Sequence, residues 1–226
     1  MSVYDDQMRY QEEEAMEQFI AEQLRQIAES PVIRHLARFG DAIEERVQRC
    51  RLEASDLATA GFYGAALVRS AGAIEISIRF FLARPLVQGA FLSDEWAALL
   101  SNKMLNGRTA EDRDLLPAIL RNWGLNITSV TLADGSQMWE RVLSRVWPRR
   151  NDYVHAGATV GEPDARLAAE CLDVMLAQVV DPIALRLGFT RQETGRWSVV
   201  LSTRDRNINP PTRHETASPF PDTTAT

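Results

Sequence analysis

Lysine is almost absent from this chain. Lys103 stands alone among 25 Lys and Arg residues, so nearly all the positive charge is guanidinium. Arginine favours bidentate contacts with carboxylate and phosphate over a diffuse basic coat. The net charge of −6 also excludes a broad nucleic-acid-coating surface, while leaving room for a local basic site. Only two cysteines occur, Cys50 and Cys171, each within an apolar helical pattern. That excludes a disulfide framework and a Cys/His zinc set, and both are read as reduced core thiols. No apolar run approaches the ~20 residues that span a bilayer. The start, Met1 to Glu17, is acidic and polar, unlike a secretory leader, so a cytoplasmic protein with no membrane contact is expected. The sequence shows no phosphate-cradling glycine loop, no nucleophile elbow and no internal repeat. Neither metal nor cofactor is expected.

What is present is 226 residues, 45% of them hydrophobic, enough for one substantial core. The periodicity is helical throughout, and the expected fold class is all-α. Residues 1–36 read as an N-terminal helical arm. Its stripe of Met16, Phe19, Ile20, Leu24 and Ile27 lies within Tyr4–Glu29, and Ser30-Pro31 stops it. Residues 37–187 read as the main helical domain. Ile43, Val47, Cys50, Ala54 and Leu57 mark one helix over Asp41–Thr59. Gly61 then turns the chain into a small-residue-rich helix, Phe62–Leu82, to make an antiparallel hairpin. Further helices are expected over Ser93–Leu105, Thr109–Trp123 and Gln137–Trp147, with Pro148 marking a break or kink. A last one runs from Pro163 to about Val180, where Asp181-Pro182 ends or bends it. Residues 188–202 alternate weakly and suit a small β-hairpin, and residues 203–226 read as a flexible tail.

The chemistry concentrates in Arg150-Asn151-Asp152-Tyr153-Val154-His155-Ala156-Gly157. A permanent cation stands five positions before a side chain that titrates near neutrality, and a polar amide follows the cation. Such a set suits a metal-free reaction at phosphate, with arginine holding developing charge and histidine moving a proton. The competing reading is a solvated helix end with a structural histidine. Arg141, Arg145 and Arg149 recur at steps of four, as a stripe leading to the site that would guide RNA phosphates or pair with nearby carboxylates. Arg149 also precedes His155 with five residues between them, so the choice between Arg149 and Arg150 stays open. Asp112 and Asp114 are read as solvated.

On Arg150, Asn151 and His155, together with the Gly-Phe-Tyr-Gly-Ala-Ala…Ala-Ile-Glu helix upstream, the chain resembles the HEPN superfamily over residues 37–187. The hallmark of that superfamily is Arg, four to six residues, His. The resemblance implies a helical bundle and a metal-independent endoribonuclease with RNA as substrate. It also implies a homodimer that joins two motifs in one cleft, in a defence or toxin–antitoxin setting with a possible antitoxin partner protein. It places an acidic residue near the motif arginine, which nominates Glu75 to orient Arg150; an ordinary pair with Arg79 is the plain alternative. Tyr153 resembles a tyrosine that some family toxins offer for adenylylation, although Val154 separates it from His155 here. The rival function is a catalytically silent interaction or nucleotide-binding module of the same fold, or an antitoxin-like helper whose acidic first helix masks a basic partner.

Overall fold

The structure, a computed structural model, describes residues 35–36, 39–79, 110–122, 124–186, 189–191 and 197–199. The helices expected over Tyr4–Glu29 and Ser93–Leu105, the turn at 193–195 and the tail lie outside the described residues. What is described is almost wholly helical, as the periodicity requires.

Helix α1 covers residues 39–59. Its stripe is buried at Ile43, Val47, Cys50 and Ala54, while Leu57 is half-buried. Glycine ends it in a specific way. Gly61 sits at φ 81°, its N–H bonds to the Ala58 carbonyl at 3.0 Å, and the Phe62 N–H reaches the Leu57 carbonyl at 2.8 Å. This pair of bonds is a Schellman cap, which satisfies orphan carbonyls and needs a residue free to adopt left-handed backbone. It reverses the chain into α2, Tyr63–Ile76, which continues in π form over residues 77–79.

Helix α3 is Ala110–Asn122, with Leu116 and Leu120 fully buried. Pro117 lies inside it without ending it. The connection that follows is ordered by its own side chains. Asn126 caps a 3₁₀ turn, Ile127–Ser129, and accepts from Thr128 N at 3.3 Å and from Thr128 Oγ1 at 2.7 Å. Asp134 closes the next turn by accepting from Ser136 N at 2.9 Å and Ser136 Oγ at 2.6 Å, and these bonds hold its carboxyl below the usual range.

Two long helical runs complete the bundle, and each contains a proline that it does not break at. Helix α4, Met138–Arg141, passes through a π stretch, Val142–Val146, into α5, Trp147–Ala156. Helix α6, Glu162–Met175, passes through another, Leu176–Val180, into α7, Asp181–Arg186. Pro148 and Pro182 each fall two residues beyond a π stretch. The sequence signal at Pro148 therefore needs correcting: the chain stays helical through it. Proline lacks the N–H that an α-helix would bond four residues back. Here the Trp147 N–H bonds five residues back, to the Val142 carbonyl, and Asp181 does the same to Leu176. Widening the helix just upstream shifts the bonding register where the proline arrives.

The core lies where α2 crosses α6, the most extensive helix contact. Gly64, Ala66, Ser70, Ala71 and Ala73 are buried on α2 and leave room for close approach. Leu67 and Ile74 fill the gaps, and Ala168, Cys171, Leu172 and Met175 face them from α6. Burying each large side chain contributes about 1.5–3 kcal/mol. Cys50 and Cys171 are both free and buried. Burial pushes the Cys171 thiol up to about 12, so it stays neutral. After α7 the chain forms a two-stranded antiparallel hairpin, β1 (Phe189–Arg191) with β2 (Trp197–Val199), in which Phe189 pairs with Val199. No described helix is long and apolar enough to cross a membrane.

Candidate functional site

Helix α5 carries the motif, and it has no buried residue. It is held at both ends. Upstream, the rings of Trp139 and Trp147 meet edge to face across the π stretch at 5.7 Å. Downstream, Gly157 takes a left-handed φ of 64°, and both it and Ala158 donate to the Asp152 carbonyl, which stops the helix just past His155.

Two contacts fix how α5 sits on α2. The Tyr153 ring lies over Gly64 so closely that a Cβ there would overlap it. Three residues earlier on α5, the Arg150 guanidinium reaches Glu75 near the far end of α2, with Nη2 3.9 Å from Oε2. The order of these contacts makes the two helices antiparallel. Glu75 thus faces two arginines, for its other oxygen accepts from Arg79 at 2.9 Å. Both carboxylate pairings considered for Glu75 exist together. The Arg150 pair is long and half-exposed, so its worth is about 0.2–1 kcal/mol, enough to bias a rotamer rather than hold the fold. Arg150 Nη1 also donates to Asn151 Oδ1 at 3.1 Å.

Asn151 and His155 are four residues apart and share one exposed edge of α5. Arg150 lies five residues before His155, about 140° around the helix and about 7.5 Å along it. A single copy therefore presents its arginine toward α2 and its histidine away from it. Tyr153 is partly covered by Gly64, with 37% of its surface still exposed, and Val154 beside it is exposed.

The stripe Arg141, Arg145, Arg149 is engaged with carboxylates at every step. Arg141 donates to Ser136 Oγ at 3.0 Å and lies 3.7 Å from Asp134. Arg145 and Arg149 converge on Asp164, with Arg145 Nε 3.1 Å from Oδ1 and Arg149 Nε 3.3 Å from Oδ2. Asp164 is buried in the first turn of α6, where a carboxylate also complements the helix N-terminus. No motif marks this residue in the sequence. Its only signal was an acid one position after Pro163 at a helix start. Asp114 is exposed, as expected of a solvated acid.

Among the described residues, no three His, Cys, Asp or Glu side chains gather as metal ligands. A cleft of about 670 Å³ opens between α1, α2 and α6, lined by Tyr63, Ser70 and Asp173 among others, and none of the motif residues reaches it. Comparison of this chain with protein-family models, with curated proteins and with solved structures finds no match.

Proposed function

We propose that the chain is a metal-independent endoribonuclease of the HEPN type, working as a homodimer. The observation that carries this reading is the placement of Arg150, Asn151 and His155 on one uncovered helix, with Arg150 steadied by Glu75 from α2. In this scheme His155 of one copy removes the proton from a ribose 2′-OH. The oxygen attacks the adjacent phosphorus, the P–O5′ bond breaks, and the leaving 5′ oxygen takes a proton from the second copy's histidine. The products are a 2′,3′-cyclic phosphate and a 5′-OH end. Arg150 offsets the added negative charge at phosphorus, a role worth about 3 kcal/mol for one well-placed donor. The need for a 2′-OH selects RNA over DNA.

The divergence of Arg150 from His155 around α5 supports a paired site, because one copy does not readily aim both groups at one phosphate. Exposed Val154, on the same helix, offers apolar surface for the second copy. The defence or toxin setting follows from the resemblance alone, as does the antitoxin partner.

The test is cleavage of single-stranded RNA in EDTA by the purified chain. His155→Ala should abolish it while leaving the thermal melt in place. Equal activity in wild type and variant would overturn the assignment. RNA binding without cleavage would leave the silent module as the better reading.

A further inference from the structure

We infer that Arg79 is a positioning residue that acts through Glu75. It holds the carboxylate back on α2, so that Arg150 is aimed by a charge contact and carries no hydrogen bond to that carboxylate. The inference deepens the ribonuclease reading, on which the role of Arg150 at phosphorus rests. How the three side chains share their charge rests on geometry.

Glu75 and Arg79 stand four residues apart on α2 and its π extension, with the acid first, the favourable order for such a pair. The two oxygens of Glu75 are used unequally. Oε1 accepts from Arg79 Nη2 at 2.9 Å, the length of a charge-assisted bond. Oε2 lies 3.9 Å from Arg150 Nη2, which is attraction without a hydrogen bond. Two arginines on one carboxylate do not require this asymmetry. At Asp164 each arginine reaches an oxygen, at 3.1 Å and 3.3 Å. The difference lies in where the partners stand. Arg145 and Arg149 come from one helical run, whereas Arg79 and Arg150 draw Glu75 toward different helices. A carboxylate bonded along its own helix is held back from the next one.

That restraint suits a guanidinium that must take up a phosphate. Arg150 also donates through Nη1 to the neutral Oδ1 of Asn151 at 3.1 Å. Its orientation is therefore set twice, by an amide and by a carboxylate beyond bonding distance. In a full salt bridge the guanidinium would turn part of its fork to the carboxylate, and an RNA phosphate would have to displace it. Without Glu75 the orientation would rest on Asn151 alone. Arg79 sets the middle case. The three side chains are between 27% and 34% exposed, so each effect is of the few-fold size that partly exposed pairs give.

The test reads Arg150 itself before any substrate is added. Rotation about the Cζ–Nε bond slows when a guanidinium enters a salt bridge, and nitrogen-detected NMR of the full chain measures it. The signal lost in Arg150→Lys identifies the residue. Arg79→Gln should slow this rotation about threefold, as Glu75 closes on Arg150. Glu75→Gln should speed it. Glu75→Gln/Arg79→Gln should match Glu75→Gln, because Arg79 then has nothing to act through. Arg79→Lys keeps the cation and should restore the wild-type rotation. If Arg79→Gln does not fold, Arg79→Met keeps the apolar stem and should show the same slowing. In RNA cleavage, Arg79→Gln should lower kcat about threefold beside an intact Glu75 and leave it unchanged beside Glu75→Gln. Unchanged rotation of Arg150 in Arg79→Gln overturns the inference, as does equal slowing with and without Glu75. A loss confined to KM and equal in both backgrounds is that of a plain surface charge, and it overturns the inference too. Each of these leaves the ribonuclease reading where it stood. A chain that cleaves no RNA yet shows the expected rotations loses the ribonuclease reading and keeps Arg79 as the residue that holds Glu75 off Arg150.

Discussion

Arg149 and Arg150 are adjacent in sequence and live in different electrostatic settings. Arg149 shares with Arg145 a carboxylate that is 9% exposed, at the start of α6. Arg150 lies 3.9 Å from a carboxylate that is 31% exposed and already bonded to Arg79, and it borders an arginine-lined groove. The first arrangement is closed: two cations converge on one buried anion, and the side chains serve the fold. The second is looser, a longer contact to a more exposed carboxylate that Arg79 also engages. A guanidinium held by one long, half-exposed contact is released at less cost than two clamped on a buried aspartate.

The largest expected effect separates the two arginines directly. Arg150→Ala should lower the rate of RNA cleavage by about 10²–10³-fold, as loss of a charge-stabilising donor does, with little change in melting temperature. Arg149→Ala should do the reverse, lowering the melt while retaining most of the rate. Parallel single-turnover assays and thermal melts read both, and equal rate losses would erase the distinction. Glu75→Gln belongs with the first set, with a smaller rate loss than Arg150→Ala, because it only steadies the guanidinium.

Next comes the closed arrangement itself. Asp164→Asn removes the charge from a buried acceptor of two arginines, and should cost about 1–3 kcal/mol. Chemical denaturation measures this, and a change below a few tenths would mean the clamp contributes nothing. Comparable in size is the seat of the motif helix. Gly64→Ala drives a methyl into the Tyr153 ring and should cost about 1–3 kcal/mol by overpacking, with α5 displaced from α2. The fluorescence of Tyr153 is masked by tryptophan, so hydrogen exchange across residues 147–156 is the better probe of that displacement.

The effect that is smallest at neutral pH lies in the core, away from either arginine. The Cys171 thiol is pushed up to about 12 from 9.0, mainly by burial, with Glu170 adding to the shift. Its protonated form is favoured by folding. The associated stability is complete below the unfolded value near 9 and is lost as pH climbs from there toward 12. Cys171→Ala should lack that component of the alkaline decline, and identical alkaline profiles for the two proteins would count against it.

Much of the scaffold was legible in the residues. The steps from Ile43 to Ala54 announce α1, Gly61 announces its cap, and Ala168, Cys171, Leu172 and Met175 announce the buried face of α6, which Val179 carries on into the π stretch. The nearness of Glu75 and Arg150 came from resemblance rather than from periodicity, since nothing in spacing alone links two helices 75 positions apart. Three features were illegible for physical reasons. Proline signals a stop in any local reading, and only the upstream π stretches at Val142–Val146 and Leu176–Val180 let the helices continue. The Asp164 clamp joins residues 15 and 19 positions apart, across a loop. The arginines of α1 are interleaved with Glu44, Glu45 and Glu53, a pattern that singles none of them out. Their convergence with Arg69 and Arg150 exists only once α1, α2 and α5 are assembled.

The π stretch upstream of the motif has one more consequence. A turn closed five residues back holds one residue more than an α-helical turn. Each residue advances the helix by about 100°, so everything downstream is offset by that angle from where an unbroken α-helix would put it. Had Val142–Val146 been plain α-helix, Arg149 would point where Arg150 now points, and Arg150 would be swung past Glu75. The widened turn works as a register selector: it decides which of two chemically identical neighbours is locked to Asp164 and which is left facing the groove. Straightening that stretch to plain α-helix at constant length would bring Arg149 to the place of Arg150. Deleting one residue from it would instead remove the extra residue of the widened turn and leave both arginines where they are.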